Sequence, residues 1–287
     1  MPDKYSAVWV SHTSISDFLH CPRAYYLRNI YKDPKTGHKI KLMAPALALG
    51  LTVHEVLESL SLLPKNKRFE EPLLVKFDKV WEKVSGKKGG FTNIDEEYKA
   101  KLRGQAMLRR VMNHPGPIGE LAAKIQQDLP YFWLSEEDNI ILCGKIDWLK
   151  YYPETDSVEI IDFKTGKNEE DQDSLQMPIY HLLVKNCQKR NVSGASYWYL
   201  EKNDELTPKE LPDLETARAK ILEIARQVKL ARQLQRFKCP KGDGCSYCRS
   251  MEKIFKREAE FVGQDDYGAD VYILPKESEE VQDSVIL

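Results

Sequence analysis

Four short segments of the chain are crowded with β-branched and aromatic residues, and this hydrophobic pattern predicts strands. The segments are rich in Ile, Val, Tyr, Trp and Phe and are bounded by turn-forming residues. Pro153, Asp156 and Ser157 supply a turn between the second and third segments, so these two should form a hairpin. The predicted strands of a central sheet cover residues 130–134, 140–152, 157–164 and 194–201.

Apolar residues recur at spacings of three and four outside these strands, which predicts amphipathic helices. An N-terminal helix should begin near Ser14 and run to Arg28, with an interruption near Pro22. Residues 64–127 are predicted to be a largely helical insertion. The helices expected to cover the sheet lie at 46–62, 174–189 and 214–237. Together these elements predict an α/β fold.

Three charged residues interrupt the two apolar strands of the predicted hairpin. Reflecting the chain about residues 154–155 brings Asp147 opposite or diagonal to Asp162, with Cβ atoms roughly 5 Å apart if directly opposed. Lys164, two residues after Asp162, points to the same face. Adjacent carboxylates repel each other unless a cation lies between them, and Mg²⁺ or Mn²⁺ prefers such oxygens. The pattern favours a divalent metal site beside a lysine; the alternative is an exposed charged face on an ordinary hairpin.

Two of the predicted helices carry polar residues at steps of four, which places those residues along one face. Gly50, His54 and Glu58 form one such series, in which His54 could bring an imidazole nitrogen to the metal. Gln176 and Tyr180 form a second, and their amide and phenol could hydrogen-bond a phosphate or the lysine. The alternatives are a histidine satisfied by local hydrogen bonds and an unremarkable polar edge of a helix.

Of the six cysteines, three lie close together near the C-terminus, one lies near the N-terminus, and two lie in apolar segments between them. One loop contains Cys239, Cys245 and Cys248. Pro and Gly residues lie between these thiols, so the loop can bend around a metal centre. Cys21, near the other end of the chain, is the candidate fourth ligand. Cys143 and Cys187 lie in apolar periodic segments and are expected to be buried hydrophobes. Zinc sites usually show paired C-x-x-C knuckles, whereas iron–sulfur clusters accept irregular spacing, so both metals stay candidates.

Composition and charge describe an ordinary soluble protein, with 42% hydrophobic and 30% charged residues. The longest apolar run, residues 44–53, is too short to span a membrane. No targeting segment is visible, so we expect a cytoplasmic protein, whose reducing surroundings suit free thiolates. Residues 258–287 hold nine Asp/Glu and one Lys, so this acidic tail carries −8 and the rest of the chain +7. The tail could be disordered, pack as an edge strand or contact a partner.

Four motifs in order, GLTVHEVLE, GKID, DFKTGK and QMPIY, resemble those of the PD-(D/E)xK nuclease superfamily. The resemblance is greatest to RecB- and AddB-type nuclease domains, a branch that includes the CRISPR adaptation nucleases. It covers about residues 14–248 and implies a restriction-endonuclease-like central mixed sheet flanked by helices. It also implies metal ligation by His54, Asp147 and Asp162, with the Phe163 carbonyl as a further candidate.

The same resemblance implies roles for three more residues and for the cysteines. Lys164 would be essential for catalysis, and Gln176 and Tyr180 would line the site. In AddB-type nucleases one N-terminal cysteine joins three C-terminal ones, so a structural [4Fe–4S] cluster is favoured over zinc. Such a cluster would join distant parts of the chain and so constrain its unfolded state. Its predicted ligands are Cys21, Cys239, Cys245 and Cys248.

The resemblance implies a Mg²⁺- or Mn²⁺-dependent deoxyribonuclease, expected to be an exonuclease, in DNA repair, recombination or DNA processing. We expect a single nuclease domain at 1–257, with the helical insertion at 64–127, cluster-binding segments at 21 and 239–248, and the acidic tail at 258–287. DNA that is single-stranded or has ends would be the substrate, a helicase or integrase is a candidate partner, and no membrane is expected. The alternatives are a catalytically silent module that binds DNA ends or recruits a partner, and a zinc-stabilised protein with a coincidental D-x-K.

Overall fold

The computed structural model describes residues 3–275, and all elements named below lie within that range. The strands are β1 (Val8–Val10), β2 (Ile40–Leu42), β3 (Ala122–Ala123), β4 (Tyr131–Ser135), β5 (Ile140–Cys143), β6 (Trp148–Tyr152), β7 (Ser157–Lys164), β8 (Asn191–Tyr199), β9 (Thr207–Lys209), β10 (Glu260–Gln264) and β11 (Asp270–Ile273). The α-helices are α1 (His12–His20), α2 (Pro22–Tyr25), α3 (Pro45–Ser59), α4 (Leu73–Trp81), α5 (Ile94–Asn113), α6 (Gln176–Cys187), α7 (Leu214–Gln233) and α8 (Ser246–Phe255). The predicted α/β fold, a mixed sheet flanked by helices, is confirmed.

Five strands form the mixed sheet, in the order β3-β6-β7-β8-β9. β6 and β7 form the predicted antiparallel hairpin, in which Trp148 pairs with Ile161. β7 and β8 run parallel and are joined through α6, since parallel neighbours need a crossover connection. The hairpin register brings Asp147, one residue before Trp148, level with Asp162. This is the pairing that reflection about the turn predicts.

The prediction of a single strand over residues 140–152 is wrong. The chain breaks between β5 and β6, and β5 instead pairs with β1 and β4 in a separate three-stranded sheet. The strand predicted at 130–134 therefore also lies outside the central sheet. Gly144 lies directly after β5, where the chain leaves that sheet. It passes close to α6 there, because a Cβ atom at Gly144 would lie 2.8 Å from Leu183 Cδ1. β5 is fully buried and the first two residues of β6 are buried, so apolar residues lie on both sides of the break.

Two hydrophobic cores lie on opposite faces of the five-stranded sheet. Val158 and Ile160 of β7 pack in the core that α6, α7 and the three-stranded sheet complete. Ile161 and Phe163 point the other way and pack against residues of α3, α4 and α5. Asp162 alternates with these two and therefore lies on the α6 side of the sheet.

The predicted helices are present, but several of their ends differ. The N-terminal helix breaks at Cys21, where α2 starts with Pro22, and a π-helical turn, Tyr26–Ile30, continues it. α7 ends at Gln233, before the predicted 237, and α8 was not predicted. Between residues 64 and 127 lie α4 and α5, several 3₁₀ turns, and the short strand β3, which joins the sheet.

Part of the acidic tail packs as a hairpin on the body of the protein. β10 and β11 pair antiparallel, and β11 also runs parallel to β2. Asp270 fixes this join, because it is 2% exposed, accepts a hydrogen bond from Thr36 Oγ1 and lies 2.9 Å from His38 Nδ1. This part of the tail thus packs as strands, with β10 at the edge of the sheet and β11 between β10 and β2. Residues 276–287 of the predicted tail lie outside the described residues.

Candidate active site and cysteine centre

Two aspartates meet where β6 begins beside β7. Asp147 Oδ2 accepts a hydrogen bond from the backbone N–H of Phe163, with an N–O distance of 2.8 Å. The N–H and C=O of one strand residue point to the same edge, so the Phe163 carbonyl faces the same gap. Asp162 is 2% exposed, and its Oδ1 accepts a hydrogen bond from Gln176 Nε2 at 2.9 Å. Its Oδ2 is buried and accepts no well-directed hydrogen bond.

Lys164 is held beside Asp162 by several acceptors. Its Nζ lies 2.9 Å from Asp162 Oδ2 and 2.9 Å from Glu170 Oε2, and it donates to Gln176 Oε1 at 2.5 Å. The Asp162 contact is an ion pair without good hydrogen-bond direction, which is why Oδ2 still lacks a hydrogen bond despite the short distance. Burial lowers the pKa of Lys164, but Asp162 and Glu170 outweigh it and raise that pKa overall. The lysine is therefore a fixed, charged ammonium.

Gln176 and Tyr180 extend this network from the first turns of α6. The Gln176 amide accepts from Lys164, donates to Asp162, and donates to the Tyr180 hydroxyl at 3.2 Å. Burial, together with the charges of Asp162 and Asp147, raises the pKa of Tyr180 well above its ordinary value. The phenol therefore stays protonated. Gln176 contacts both the lysine and the aspartate, and Tyr180 contacts the Gln176 amide.

His54 approaches the aspartates from α3. Its Nδ1 lies 3.3 Å from Asp147 Oδ2 and 3.7 Å from Glu58 Oε1. Burial acts to lower the pKa of His54, but Asp147 and Glu58 outweigh it and raise that pKa to about 10. In the absence of metal the imidazole is therefore protonated, and a metal that binds to it must displace a proton. Glu58 in turn forms an ion pair with Lys145, of the G-K-I-D segment.

Gly50 allows α3 to pass close to the chain that follows β7. A Cβ atom at Gly50 would lie 3.2 Å from Thr165 Oγ1, a tight contact. Thr165 directly follows Lys164, so the helix that carries His54 approaches the strand that carries the lysine at this point. The absence of a side chain at Gly50 thus allows this close approach.

The donor set fits a hard divalent cation. One ligand atom from each of His54, Glu58 and Asp147 lies within 4.8 Å of the other two. Asp162 is not part of that tight group, but its buried Oδ2 lacks a hydrogen bond and is the kind of oxygen that a cation would satisfy. Burial and the charge of Asp147 raise the pKa of Asp162 to about 7, although Lys164 opposes the shift. A bound cation would relieve this repulsion.

The four predicted cysteine ligands converge. Their sulfur atoms lie within 4.8 Å of one another, and the Sγ atoms of Cys245 and Cys248 are 3.9 Å apart. Cys21 reaches the group from the break between α1 and α2, while Cys245 and Cys248 belong to the first turn of α8. Three of the four are buried, and Cys239 is half-buried. Such a set of thiols fits a thiophilic metal or cluster.

Ion pairs fix the two chain segments that supply these thiols. Arg28 pairs with buried Asp17 at 2.6 Å and donates to the backbone carbonyl of Tyr247 in α8. Arg23 pairs with Glu252 of α8 at 3.1 Å. These contacts hold the N-terminal helices against α8 and so keep Cys21 close to Cys245 and Cys248.

A family model for the PD-(D/E)XK nuclease superfamily matches residues 9–252. The chain belongs to this superfamily. The match spans every candidate site residue and all four converging cysteines. No curated protein sequence matches the chain. None of the helices within residues 3–275 combines the length and apolar character that a membrane crossing requires.

The structure brings the six predicted active-site side chains, from His54 to Tyr180, close together and brings the four predicted cysteines together in a second place. It also has two contacts that the sequence did not reveal. Glu170 pairs with Lys164 from the loop before α6, and Lys145 pairs with Glu58. Glu58 was noted only for its spacing from His54. Lys145 could have been suspected from its place inside the G-K-I-D motif. Glu170 has no such signal, because loop residues follow no period.

Proposed function

We propose that this superfamily member is a Mg²⁺- or Mn²⁺-dependent DNA nuclease that hydrolyses phosphodiester bonds. The observation that carries the proposal is the buried pairing of Lys164 with Asp162, bridged by Gln176, beside Asp147 and His54. A charged lysine and unsatisfied carboxylate oxygens are unfavourable inside a protein unless a site uses them. Here they lie where a phosphate and a cation could be held together.

Each residue of this site has a role that its contacts support. His54, Asp147 and Asp162, with the Phe163 carbonyl, would hold the cation. When bound, that cation would supply an activated water and neutralise charge on the phosphate.

Lys164, fixed by its acceptors, would orient the attacking water or stabilise the charge that develops on the phosphate. Gln176 would set the position of Lys164 by accepting from its ammonium, and Tyr180 would hold the Gln176 amide in turn.

The four thiols are proposed to hold a [4Fe–4S] cluster with a structural role. Their irregular spacing and the remote Cys21 support iron–sulfur chemistry. Zinc is the second candidate, because the 3.9 Å separation of the Cys245 and Cys248 sulfurs suits a tetrahedral ion with Zn–S bonds of about 2.3 Å. Iron and zinc analysis together with visible absorbance separates the two: a cluster absorbs visible light, and a zinc–thiolate site does not.

The proposed biological setting is DNA repair, recombination or DNA processing, with attack at DNA ends. The body of the chain is basic, which supports a polyanionic substrate. A helicase would be a partner that supplies opened DNA, and an integrase would be a partner that uses the processed ends. These finer assignments follow from the branch that the motifs resemble.

The deciding experiment compares the wild-type protein with Lys164→Ala. Both are purified without oxygen and given end-labelled linear and closed circular DNA, single- and double-stranded, with Mg²⁺, Mn²⁺ or EDTA. We expect metal-dependent cleavage of linear DNA, and a loss of at least about 100-fold in the variant, since one preorganised charge contributes that much.

Cleavage of closed circles would show an endonuclease and overturn the end-directed part of the proposal. No cleavage by metal-loaded wild-type protein under any condition would favour a silent DNA-end-binding module instead. Equal cleavage by the variant would show that the site lies elsewhere.

A further inference from the structure

Lys164 has a second carboxylate partner that is not a candidate metal ligand. Glu170 lies in the loop between β7 and α6, and its Oε2 is 2.9 Å from Lys164 Nζ. The same nitrogen is 2.9 Å from Asp162 Oδ2. The ammonium therefore contacts two carboxylates, of which only Asp162 is among the proposed metal ligands.

Glu170 is fixed in this position from more than one side. Ser174 Oγ donates to Glu170 Oε1 at 2.7 Å, and the Glu170 backbone N–H donates to the Tyr199 hydroxyl at 3.1 Å. Its side chain is only 25% exposed. Burial raises the pKa of Glu170, but Lys164 and Ser174 outweigh it and lower that pKa overall, so the group is ionised. Because of these hydrogen bonds and its burial, the Glu170 carboxylate is held in a fixed position, unlike a solvent-exposed surface ion pair.

The position of Lys164 depends on the balance between its two carboxylates. Without Glu170, the remaining charged partner of the ammonium would be Asp162, whose Oδ2 is the unsatisfied oxygen offered to a cation. Asp162 would then compensate the ammonium charge alone, and its ion pair with Lys164 would compete more strongly with a cation for that oxygen. With Glu170 in place, the lysine charge is shared between two carboxylates at equal distances.

We propose that Glu170 is a positioning residue that takes up part of the Lys164 charge, and so weakens the hold of the ammonium on Asp162 Oδ2 and leaves that oxygen available to the divalent cation. This inference rests on the proposed nuclease function and names a further determinant of the same site. Glu170 would touch neither cation nor phosphate; it would act through the lysine.

The chain offers a matched control in the neighbouring residue. Glu169 has the same charge in the same loop, but its side chain is 74% exposed and lies 3.8 Å from Lys202 at the surface. Glu169→Gln and Glu170→Gln therefore remove the same charge one residue apart. A difference between them reports the contact with Lys164 and not the net charge of the loop.

The test measures Mn²⁺ binding by electron paramagnetic resonance and DNA cleavage under saturating Mn²⁺. Wild type, Glu170→Gln, Glu170→Asp and Glu169→Gln are compared after thermal melts confirm that each is folded. We expect Glu170→Gln to weaken Mn²⁺ binding and lower kcat by about 10- to 100-fold, as loss of an outer partner of a metal site does, with little change in KM for DNA. Glu170→Asp, which keeps the charge, should recover part of both losses, and Glu169→Gln should match wild type.

Each outcome has a separate meaning. Unchanged Mn²⁺ binding and kcat in folded Glu170→Gln would overturn the inference, as would equal losses in Glu169→Gln. If wild type binds Mn²⁺ without cutting DNA, the proposed function fails, and the Mn²⁺ affinities still decide the role of Glu170. If wild type binds no Mn²⁺, both are overturned.

Discussion

The ionised form of Asp162 is destabilised in the metal-free protein, and its neighbours compensate for this only in part. The carboxylate is almost fully buried next to Asp147, and Lys164 does not fully compensate for that environment. Desolvation and like charge both favour the protonated acid, so its pKa is raised to about 7. A residue that binds a cation is commonly held in such an unfavourable state until the cation arrives.

Asp162→Asn should therefore stabilise the metal-free protein while abolishing metal-dependent cleavage. Because the folded-state pKa is raised above 3.8, the wild-type protein loses stability as the pH rises from about 4 to about 7, whereas the amide does not titrate. The advantage of the variant should be small at pH 4 and reach on the order of a few kcal/mol above pH 7.

Thermal melts between pH 4 and pH 8 in EDTA measure this difference. Added Mn²⁺ should raise the melting temperature of the wild type and leave that of the variant nearly unchanged, since only a binding-competent site gains stability from a ligand. A variant less stable than wild type at pH 8 without metal would contradict the argument.

The sequence predicted this residue-scale geometry well in one respect and poorly in another. The opposition of Asp147 and Asp162 follows from the position of the turn, because antiparallel register is fixed once the turn is known. The contact between Glu170 and Lys164 depends on the path of a loop. Loops carry no periodic signal, so this contact needed the structure.

At the scale of elements, the site depends on how closely α3 packs against its neighbours. α3 carries His54 and lies against α4 and α5 in the core on one face of the sheet. Gly104 of α5 makes this close packing possible. A Cβ atom there would lie 2.5 Å from Phe77 Cζ and 2.9 Å from Leu49 Cδ1 of α3. The space between these helices is thus already filled by large side chains.

Gly104→Ala should destabilise the protein, although alanine is the better helix former. The gain in helix propensity is about 1 kcal/mol, and overpacking costs about 1–3 kcal/mol. We expect a net loss of about 1 kcal/mol, measured by urea denaturation.

Ala106→Gly, at an exposed position of the same helix, provides the comparison because it changes helix propensity alone. If Gly104→Ala raised stability by the amount that Ala106→Gly lowers it, the close packing would carry no cost.

Helical and strand periodicity predicted most elements but not their grouping into sheets. The spacing of three and four in α3 reflects one buried face, whereas α6 is buried on most of its circumference, and both helices occur where expected. The mostly apolar stretch 140–152 was predicted as one strand, and the break at Gly144 and Lys145 in the middle of it is where the chain changes sheet. α8 is short and amphipathic among basic residues, and its apolar face is defined by packing around the cysteines.

At the scale of the whole molecule, the cysteine centre joins the N-terminal helices to α8. Cys21, Ala24 and Leu27 share a small hydrophobic core with Cys248 and Met251. A core of this size stabilises little alone, so a metal centre bound to the four thiols would contribute much of the free energy that holds the segments together. The sequence predicted which four cysteines converge, but the choice between iron and zinc depends on coordination chemistry that spacing does not encode.

Cys21→Ser should lose the metal of this centre and lower the melting temperature by on the order of 10 °C, as the loss of several kcal/mol would in a protein of this size. Metal analysis and calorimetry measure the two effects together.

Cys187→Ser is the control. Cys187 is half-buried, lies outside the converging group and is the last residue of α6. A Cys21→Ser protein that kept its metal and its melting temperature would show that the other thiols suffice.

The placement of the cysteine centre also fixes an order of events during translation. A ribosome makes the chain from the N-terminus, so every proposed catalytic residue, from His54 to Tyr180, is synthesised before Cys239. The two cores on either side of the sheet can begin to form around those residues while α8 is still inside the ribosome. A nascent chain therefore carries all of the proposed catalytic side chains before it has all four converging cysteines. β11 is made later still and adds Val271 and Ile273 to the core that packs against α3, so the cysteine segment and this strand are both added to a chain whose central-sheet strands already exist.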